Sequence, residues 1–213
     1  MNLLITAGPT REYIDPVRFI SNPSSGKMGY AIAAAARQRG HAVILVSGPV
    51  SIKPPAGIKL LKVMTAQNML SAVKANIKKC DALVMAAAVS DFRPSICCRR
   101  KIKKAEMSTV IRLKPNPDVL LSLSRQKGKR IFVGFAAETD DLKAEPLRKL
   151  RQKHLDLIVA NNVAKPGSGF AADTNKVTFY SPDGKPLPLP LLPKIRVAGR
   201  IIAWIEKKIE KSS

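Results

Sequence analysis

The densest set of chemistry-bearing side chains in this 213-residue chain lies in Arg18-Phe-Ile-Ser-Asn-Pro-Ser-Ser-Gly-Lys-Met-Gly-Tyr30. Asn22, Ser24, Ser25 and Lys27 bring amide, hydroxyl and ammonium groups close together, and Gly26 and Gly29 let backbone pass near a ligand or a packed neighbour. A helix opening here would point its first N–H groups and positive dipole end at whatever lies in front, which suits an anion. A plain strand-to-helix connector is the competing reading of a bare Gly-x-x-Gly. Four polar side chains are more than a connector needs.

Placing that stretch requires a strand before it and a helix behind it. Leu3–Thr6 reads as the strand. The alanine-rich run from about Lys27 to Arg39 reads as the helix, stopped by Gly40. Val43–Val46, Leu60–Val63, Ala82–Ala86, Ile131–Phe135 and Leu155–Ala160 read as further strands, several of them continuous apolar runs of the kind buried on both faces. Thr65 is placed to cap a helix reaching about Ile77. Asn116-Pro117-Asp118 reads as a turn opening a helix through about Leu123, with Pro117 at the first helical position. A charged helix spans Leu142 to Gln152, kinked or started by Pro146.

Residues 95–114 are basic and leave the pattern as a flap, in which the alternation of Ser108–Lys114 predicts an exposed antiparallel strand. Val177–Tyr180 and Pro186–Leu191 flank Asp183-Gly184 and predict a hairpin over about 177–191. Lys194–Lys211 places Val197, Ile201, Ile202, Ile205 and Ile209 on one helical face. The alternation predicts an α/β fold over 1–213 as a single domain: a doubly wound, mostly parallel Rossmann-like sheet with an antiparallel excursion. Ligands of such sheets sit outside the carboxyl ends of the strands. Here those ends are Ala7–Ser25, Ser47–Val50, Ala87–Pro94, Ala136–Asp140 and Asn161–Phe170.

An apolar fraction of 46% is that of a globular chain, and no apolar run approaches the ~18 residues that span a bilayer. No membrane partner is expected. The N-terminus lacks the pattern of a signal peptide. Three cysteines, two of them vicinal at Cys97-Cys98, do not form a disulfide framework. A cytoplasmic address follows. No Cys-x-x-Cys or histidine cluster suggests zinc, and no metal ligand can be named. His41 and His154 have no evident nucleophile beside them.

The net charge of +22 raises polyanions as partners and makes a nucleic-acid-binding α/β module the competing functional class. The charge is spread, with concentrations at Arg99–Lys104 and Lys207–Lys211, and lacks the aromatic interleaving of single-strand binders. Binding that collapses steeply with salt would mark that class. The phosphate-loop, dinucleotide glycine and serine-elbow motifs are absent. A nicotinamide-dependent reductase would rest on the sheet topology alone.

Across nearly its whole length the chain resembles the phosphopantothenoylcysteine synthetase family, the second half of the bacterial bifunctional coenzyme A biosynthesis flavoprotein. The matching segments are Ile5–Glu12, Ile14–Asn22, Ser24–Gly29, Met85–Asp91, Lys101–Lys104, Asn116–Asp118, Val133–Thr139 and Ala160-Asn161. The resemblance implies a ligase joining 4′-phosphopantothenate to L-cysteine. CTP, rather than ATP, would activate the carboxylate as an acyl-cytidylate, with Mg²⁺ and lysines neutralising phosphate charge.

The family residues carry over by position. Asn22 matches the asparagine associated with conversion of the acyl-nucleotide, where a carboxamide can donate to an oxyanion. Lys101 matches the lysine of the nucleotide-dependent half-reaction. Arg18 is similar to an arginine near the phosphopantothenate, where a guanidinium fork suits phosphate. Met85, Ala86, Ala87 and Asp91 match a base- and ribose-contacting strand end. Pro117, Asp118, Val119 and Leu120 match a helix start facing the triphosphate. Phe135, Lys149 and Lys153 match further nucleotide contacts, and the two lysines share a helical face.

Ser90 stands where the family commonly has alanine, and Pro23, beside Asn22, where a larger polar residue is usual. Cys97-Cys98 has no family role. The resemblance covers only the synthetase half, so no FMN is expected, and the chain is either a standalone synthetase or a separated domain working with a phosphopantothenoylcysteine decarboxylase. A homodimer is implied, with the flap strands pairing between subunits.

Overall fold

Leu3, Leu4 and Ile5 are all fully buried, so both faces of the first strand are covered by other elements. A computed structural model describes residues 1–138, 144–162, 169, 172–182 and 184–211. Its principal elements are β1 (Asn2–Ala7), α1 (Lys27–Gln38), β2 (Ala42–Ser47), β3 (Lys59–Lys62), α2 (Ala66–Asn76), β4 (Ala82–Met85), α3 (Val119–Leu123), β5 (Ile131–Glu138), α4 (Ala144–Gln152), β6 (Leu157–Asn162), β7 (Val177–Tyr180), β8 (Leu187–Pro188) and α5 (Lys194–Glu210).

The eight strands form one sheet in the order β8-β7-β6-β5-β4-β1-β2-β3. Pairing from β6 through to β3 is parallel, while β7 runs antiparallel to both β6 and β8. The strand order reverses between β1 and β4, which makes their carboxyl ends the switch point where doubly wound sheets bind ligands. Side chains alternate to opposite faces of β1. Leu3, Ile5 and Ala7 enter a core with α1 and α5, and Leu4 enters a second core with α2, α3 and Leu150 of α4.

Local chemistry sets the helix ends. Thr65 Oγ1 accepts from Asn68 N–H at 3.1 Å and Thr65 N–H donates to Asn68 Oδ1 at 3.3 Å, a reciprocal cap on α2. α1 packs so tightly on β1 that a Cβ at Gly29 would meet Ala7 Cβ at 2.5 Å, which only glycine avoids. In α5, Val197, Ile201, Ile202 and Ile205 are fully buried as the helical stripe predicts, and Ile209 is partly covered. Pro146 lies in the first turn of α4, where its missing N–H costs no helical bond. Leu142 and Lys143, the expected start of that helix, lie outside the described residues, as does Asp183 of the β7–β8 hairpin.

Two expectations are corrected. Pro117 is not the first helical residue: Asp118 is the N-cap, its Oδ1 accepting from Leu121 N–H at 3.0 Å, so proline precedes the cap. The run Ser108–Arg112 is not a strand. Only Leu113–Pro115 pairs, antiparallel to Phe92–Pro94, because residues 95–112 find no second strand among the described residues to complete a ladder. The flap is mostly irregular, with a short helical turn at Lys104–Glu106, and exposes Ile96 and Val110. Among the described residues no helix is long and apolar enough to cross a membrane.

Candidate active site

The segment 86–91 leaves β4 and is held in place by the segment leaving β1. Ala87 N–H donates to Thr6 Oγ1 at 3.1 Å, Ala88 N–H to Gly8 O at 2.9 Å and Ser90 N–H to Thr10 Oγ1 at 3.0 Å. Both threonines are fully buried, so these are bonds shielded from water. From the other side Asn116 Nδ2 donates to Ser90 O at 2.8 Å. The segment thereby becomes a rigid floor at the switch point.

Above this floor lies a cleft of about 510 Å³. It is lined by Asn22, Met85, Ala86, Ala87, Asp91, Pro117, Asp118, Val119, Leu120, Phe135, Lys149 and Lys153, twelve of the fourteen residues expected from the sequence. The Asn22 carboxamide donates through Nδ2 to Ala88 O at 3.2 Å, which uses one of its two N–H groups. Asp118 spends Oδ1 on the α3 cap and Oδ2 on Lys153 Nζ at 2.7 Å, joining the start of α3 to the end of α4.

One wall is the start of α1. Its N-cap, Gly26, takes the left-handed conformation at φ 78° and no side chain caps the helix. The first-turn N–H groups thus face the cleft beside Lys27. Lys27 Nζ pairs with Asp173 Oδ1 at 2.6 Å, which holds the Asp173 carboxyl below its usual range. Lys194, at the start of α5, is buried and donates to Gly169 O and Ala172 O. Burial, then the nearby Lys27 charge, pushes the Lys194 ammonium down. Asn161 and Asn175, joined at 3.3 Å, complete this wall.

The motif-rich stretch already held Ser24, Ser25 and Lys27. Lys194 and Asn175 carry no local signal, because one opens an amphipathic helix and the other ends the two-residue strand Thr174–Asn175, and only the fold brings them to the cleft.

Arg18 and Lys101 lie outside this cleft. Arg18 is bound to Asp15, with Nε at 3.0 Å and Nη2 at 2.5 Å from Oδ2, and reaches Ile102 O at 2.7 Å and Met107 Sδ. Asp15 is fully buried and also accepts Ile102 N–H at 3.2 Å. Arg18 first, then backbone N–H groups, hold its carboxyl far below the usual carboxylate range against the opposing effect of burial. The flap is thus fastened at Ile102, next to the exposed Lys101. A larger cavity of about 830 Å³ beneath the flap is lined mainly by Ile14, Ile96, Cys98, Ile102, Met107, Val110 and Ile111. Its walls are largely apolar, with Arg99, Arg100, Glu106 and Arg112 along its border.

Among the described residues no three His, Cys, Asp or Glu side chains gather as a metal cage. In the cleft Asp118 is already committed to its cap and to Lys153, which leaves Asp91 as the carboxylate able to reach a cation. That donor set fits a Mg²⁺ ion held chiefly by nucleotide phosphates. The Ser90 hydroxyl is buried against the floor without a hydrogen-bond partner among the described residues.

Comparison with known proteins places this architecture. The family model described as DNA/pantothenate metabolism flavoprotein C-terminal domain matches residues 1–209. The coenzyme A biosynthesis bifunctional protein CoaBC of Bacillus subtilis (strain 168) is 46% identical over 205 residues, covering 96% of this chain and 50% of that protein. Its namesake from Escherichia coli (strain K12) is 46% identical over 194 residues, covering 89% and 48%. This chain spans about half the length of the curated relatives it matches. The crystal structure of the C-terminal domain of a CoaBC protein superposes with a TM-score of 0.85 at 43% identity, covering 99% of this chain and 96% of that one. A Cab2 mutant in complex with phosphopantothenate-cysteine shares the fold, with a TM-score of 0.80 at 21% identity and coverage of 99% and 88%.

Proposed function

Because this chain belongs to the DNA/pantothenate metabolism flavoprotein C-terminal domain family, we propose that it is a phosphopantothenate–cysteine ligase of coenzyme A biosynthesis. It uses CTP in preference to ATP. The observation that carries this reading is the convergence of Asn22, the Met85–Asp91 floor, the Pro117–Leu120 helix start and Lys149 with Lys153 on one cleft at the switch point.

The chemistry has two steps. A carboxylate oxygen of 4′-phosphopantothenate bonds to the α-phosphorus of CTP and pyrophosphate leaves. The cysteine amine then bonds to the carbonyl carbon, CMP leaves and an amide remains. The first step brings an anion to an anion, so cationic groups must lower the repulsion. Lys149, Lys153, Lys27 and the α1 N-terminus supply them around the cleft. Mg²⁺ bound to the phosphates, with Asp91 as its protein contact, would add Lewis-acid neutralisation.

The second step places negative charge on the carbonyl oxygen. One Asn22 N–H is anchored on Ala88 O, which orients the carboxamide and leaves the other for that oxygen. Met85, Ala86 and Ala87 present backbone to the base, with Phe135 beside them, and Asp91 lies at the ribose end. Pro117 to Leu120 faces the triphosphate. Arg18 and Lys101 act outside the cleft lining: Arg18 holds the flap at Ile102 from beneath, and that latch sets the position from which Lys101, next to Ile102, approaches nucleotide phosphate.

The reading extends to a homodimer in which the irregular flap segment 95–112 finds a strand partner on a second copy, supported by the exposed Ile96, Val110 and Leu113. It also extends to a cytoplasmic setting and to a decarboxylase acting on the product, in keeping with relatives named as bifunctional and about twice this chain's length. Pyrophosphate release with phosphopantothenate, cysteine and Mg²⁺, compared between CTP and ATP, tests the activity. Release with CTP is expected, and release with neither nucleotide would overturn the reading. A dimer by light scattering is expected, and a monomer at micromolar concentration would contradict the shared-flap arrangement.

A further inference from the structure

Cys97 and Cys98 are adjacent flap residues that the ligation chemistry leaves unused. Both are free thiols; Cys97 is exposed, and the half-buried Cys98 lines the flap cavity. Cys80, the third cysteine, is buried, and burial pushes its thiol up, which makes it a poor nucleophile. The backbone between the vicinal pair is part of the latch that holds the flap. Cys98 N–H donates to Ile14 O at 2.9 Å, and four residues on, Asp15 and Arg18 take the N–H and carbonyl of Ile102.

Neighbouring Cα atoms are ~3.8 Å apart across a trans peptide, short of the ~4.4–6.8 Å that disulfides favour. A bond between these two sulfurs closes a small ring through their shared peptide and must distort it. That peptide carries the N–H bound to Ile14. The strain also makes the bond easy to reduce, as labile regulatory disulfides are.

We propose that Cys97-Cys98 is a thiol–disulfide modification site, closed by a small-molecule disulfide of the cystine class, and that closure unlatches the flap. The choice of oxidant rests on the ligase reading, since cystine is the oxidised form of the proposed substrate. The exposed Cys97 thiolate attacks one sulfur of cystine, forming a mixed disulfide and releasing one cysteine. The Cys98 thiolate then attacks the Cys97 sulfur, closing the ring and releasing the second cysteine. Two protein thiols are oxidised, one cystine is reduced, and the two thiol protons leave on the released cysteines. Arg99, Arg100 and Arg112 border the cavity and attract the carboxylates of cystine, Arg100 also facing Glu106 at 3.9 Å. An oxidised cysteine pool would thereby slow an enzyme that consumes cysteine.

The test treats the reduced full chain with cystine and reads three things: mass of the peptide holding both cysteines, backbone hydrogen exchange of the flap, and ligation rate. Expected are the loss of two hydrogens, faster exchange at the Cys98 and Ile102 amides, and a rate fall of about 10-fold or more through displacement of Lys101. Dithiothreitol should reverse all three, and Cys97→Ser and Cys98→Ser should show neither ring nor accelerated exchange. A mixed disulfide that never closes, a ring that leaves Cys98 exchange unchanged, or an equal loss of rate in Cys97→Ser would overturn the proposal. Mass and exchange need no catalysis. Ring closure with unlatching in a protein that ligates nothing would uphold the site and sink the ligase reading alone.

Discussion

Asp118 and Lys153 are joined at 2.7 Å across the rear of the cleft, while the other oxygen of Asp118 caps α3 through Leu121 N–H. One carboxylate therefore fixes a helix start and positions a cation. Asp118→Ala loses both roles and should cost about 0.5–2 kcal/mol from the cap alone, whereas Asp118→Asn keeps an acceptor for the cap and should lose little. Lys153→Ala removes a partly exposed pair worth at most about 1 kcal/mol, but should raise the KM for nucleotide about 10-fold. Thermal melts beside steady-state kinetics separate these effects. A Lys153→Ala enzyme with unchanged nucleotide KM would remove that lysine from the site.

Lys194 supports the opposite wall by donating to two backbone carbonyls, Gly169 O and Ala172 O. Lys194→Met keeps the bulk of the stem and strands both acceptors, with an expected loss of about 1–3 kcal/mol. Guanidinium unfolding measures it. An unchanged midpoint would mean that the wall does not depend on this cation.

Asp15 makes the flap latch sensitive to acid. Its folded pKa lies below the ordinary value of a free aspartate, chiefly because Arg18 binds it. The contribution is therefore fully present above the unfolded pKa, about 3.9, and is lost as pH falls through the lower folded value. Flap amide protection, corrected for intrinsic exchange, should persist down to about pH 4 and fail only in stronger acid. Asp15→Asn should weaken protection at every pH. Flap protection that fades between neutrality and mild acid would point to another group.

Ser90 places a hydroxyl in the floor with no partner among the described residues. Ser90→Ala should raise stability by up to about 1 kcal/mol, since a buried donor without a bond carries a desolvation cost. Differential scanning calorimetry reads the shift. A lower melting temperature would show that the hydroxyl is bonded in solution.

The parallel sheet was legible because strands covered on both faces leave uninterrupted apolar runs such as Val43–Val46. The α2 cap was legible because Thr65 is a local signal. The cleft is legible from family motifs, because twelve of the residues they single out line it. What escaped the sequence is what depends on tertiary partners. The alternation of Ser108–Arg112 cannot say whether a neighbouring strand exists. Pro117 and Asp118 competed for the helix start, and the side-chain cap decided it. Lys194 looks like any charged residue on an amphipathic helix until α5 packs beside α1.

The central claim is that the Asn22 carboxamide, anchored on Ala88 O at 3.2 Å, serves the amide-forming step. The direct measurement is single-turnover chemistry with CTP, phosphopantothenate, cysteine and Mg²⁺, comparing wild type with Asn22→Ala. The variant should still release pyrophosphate and accumulate acyl-cytidylate, while amide formation slows by about 10²–10³. Equal slowing of both steps, or amide formation at the wild-type rate, would contradict it.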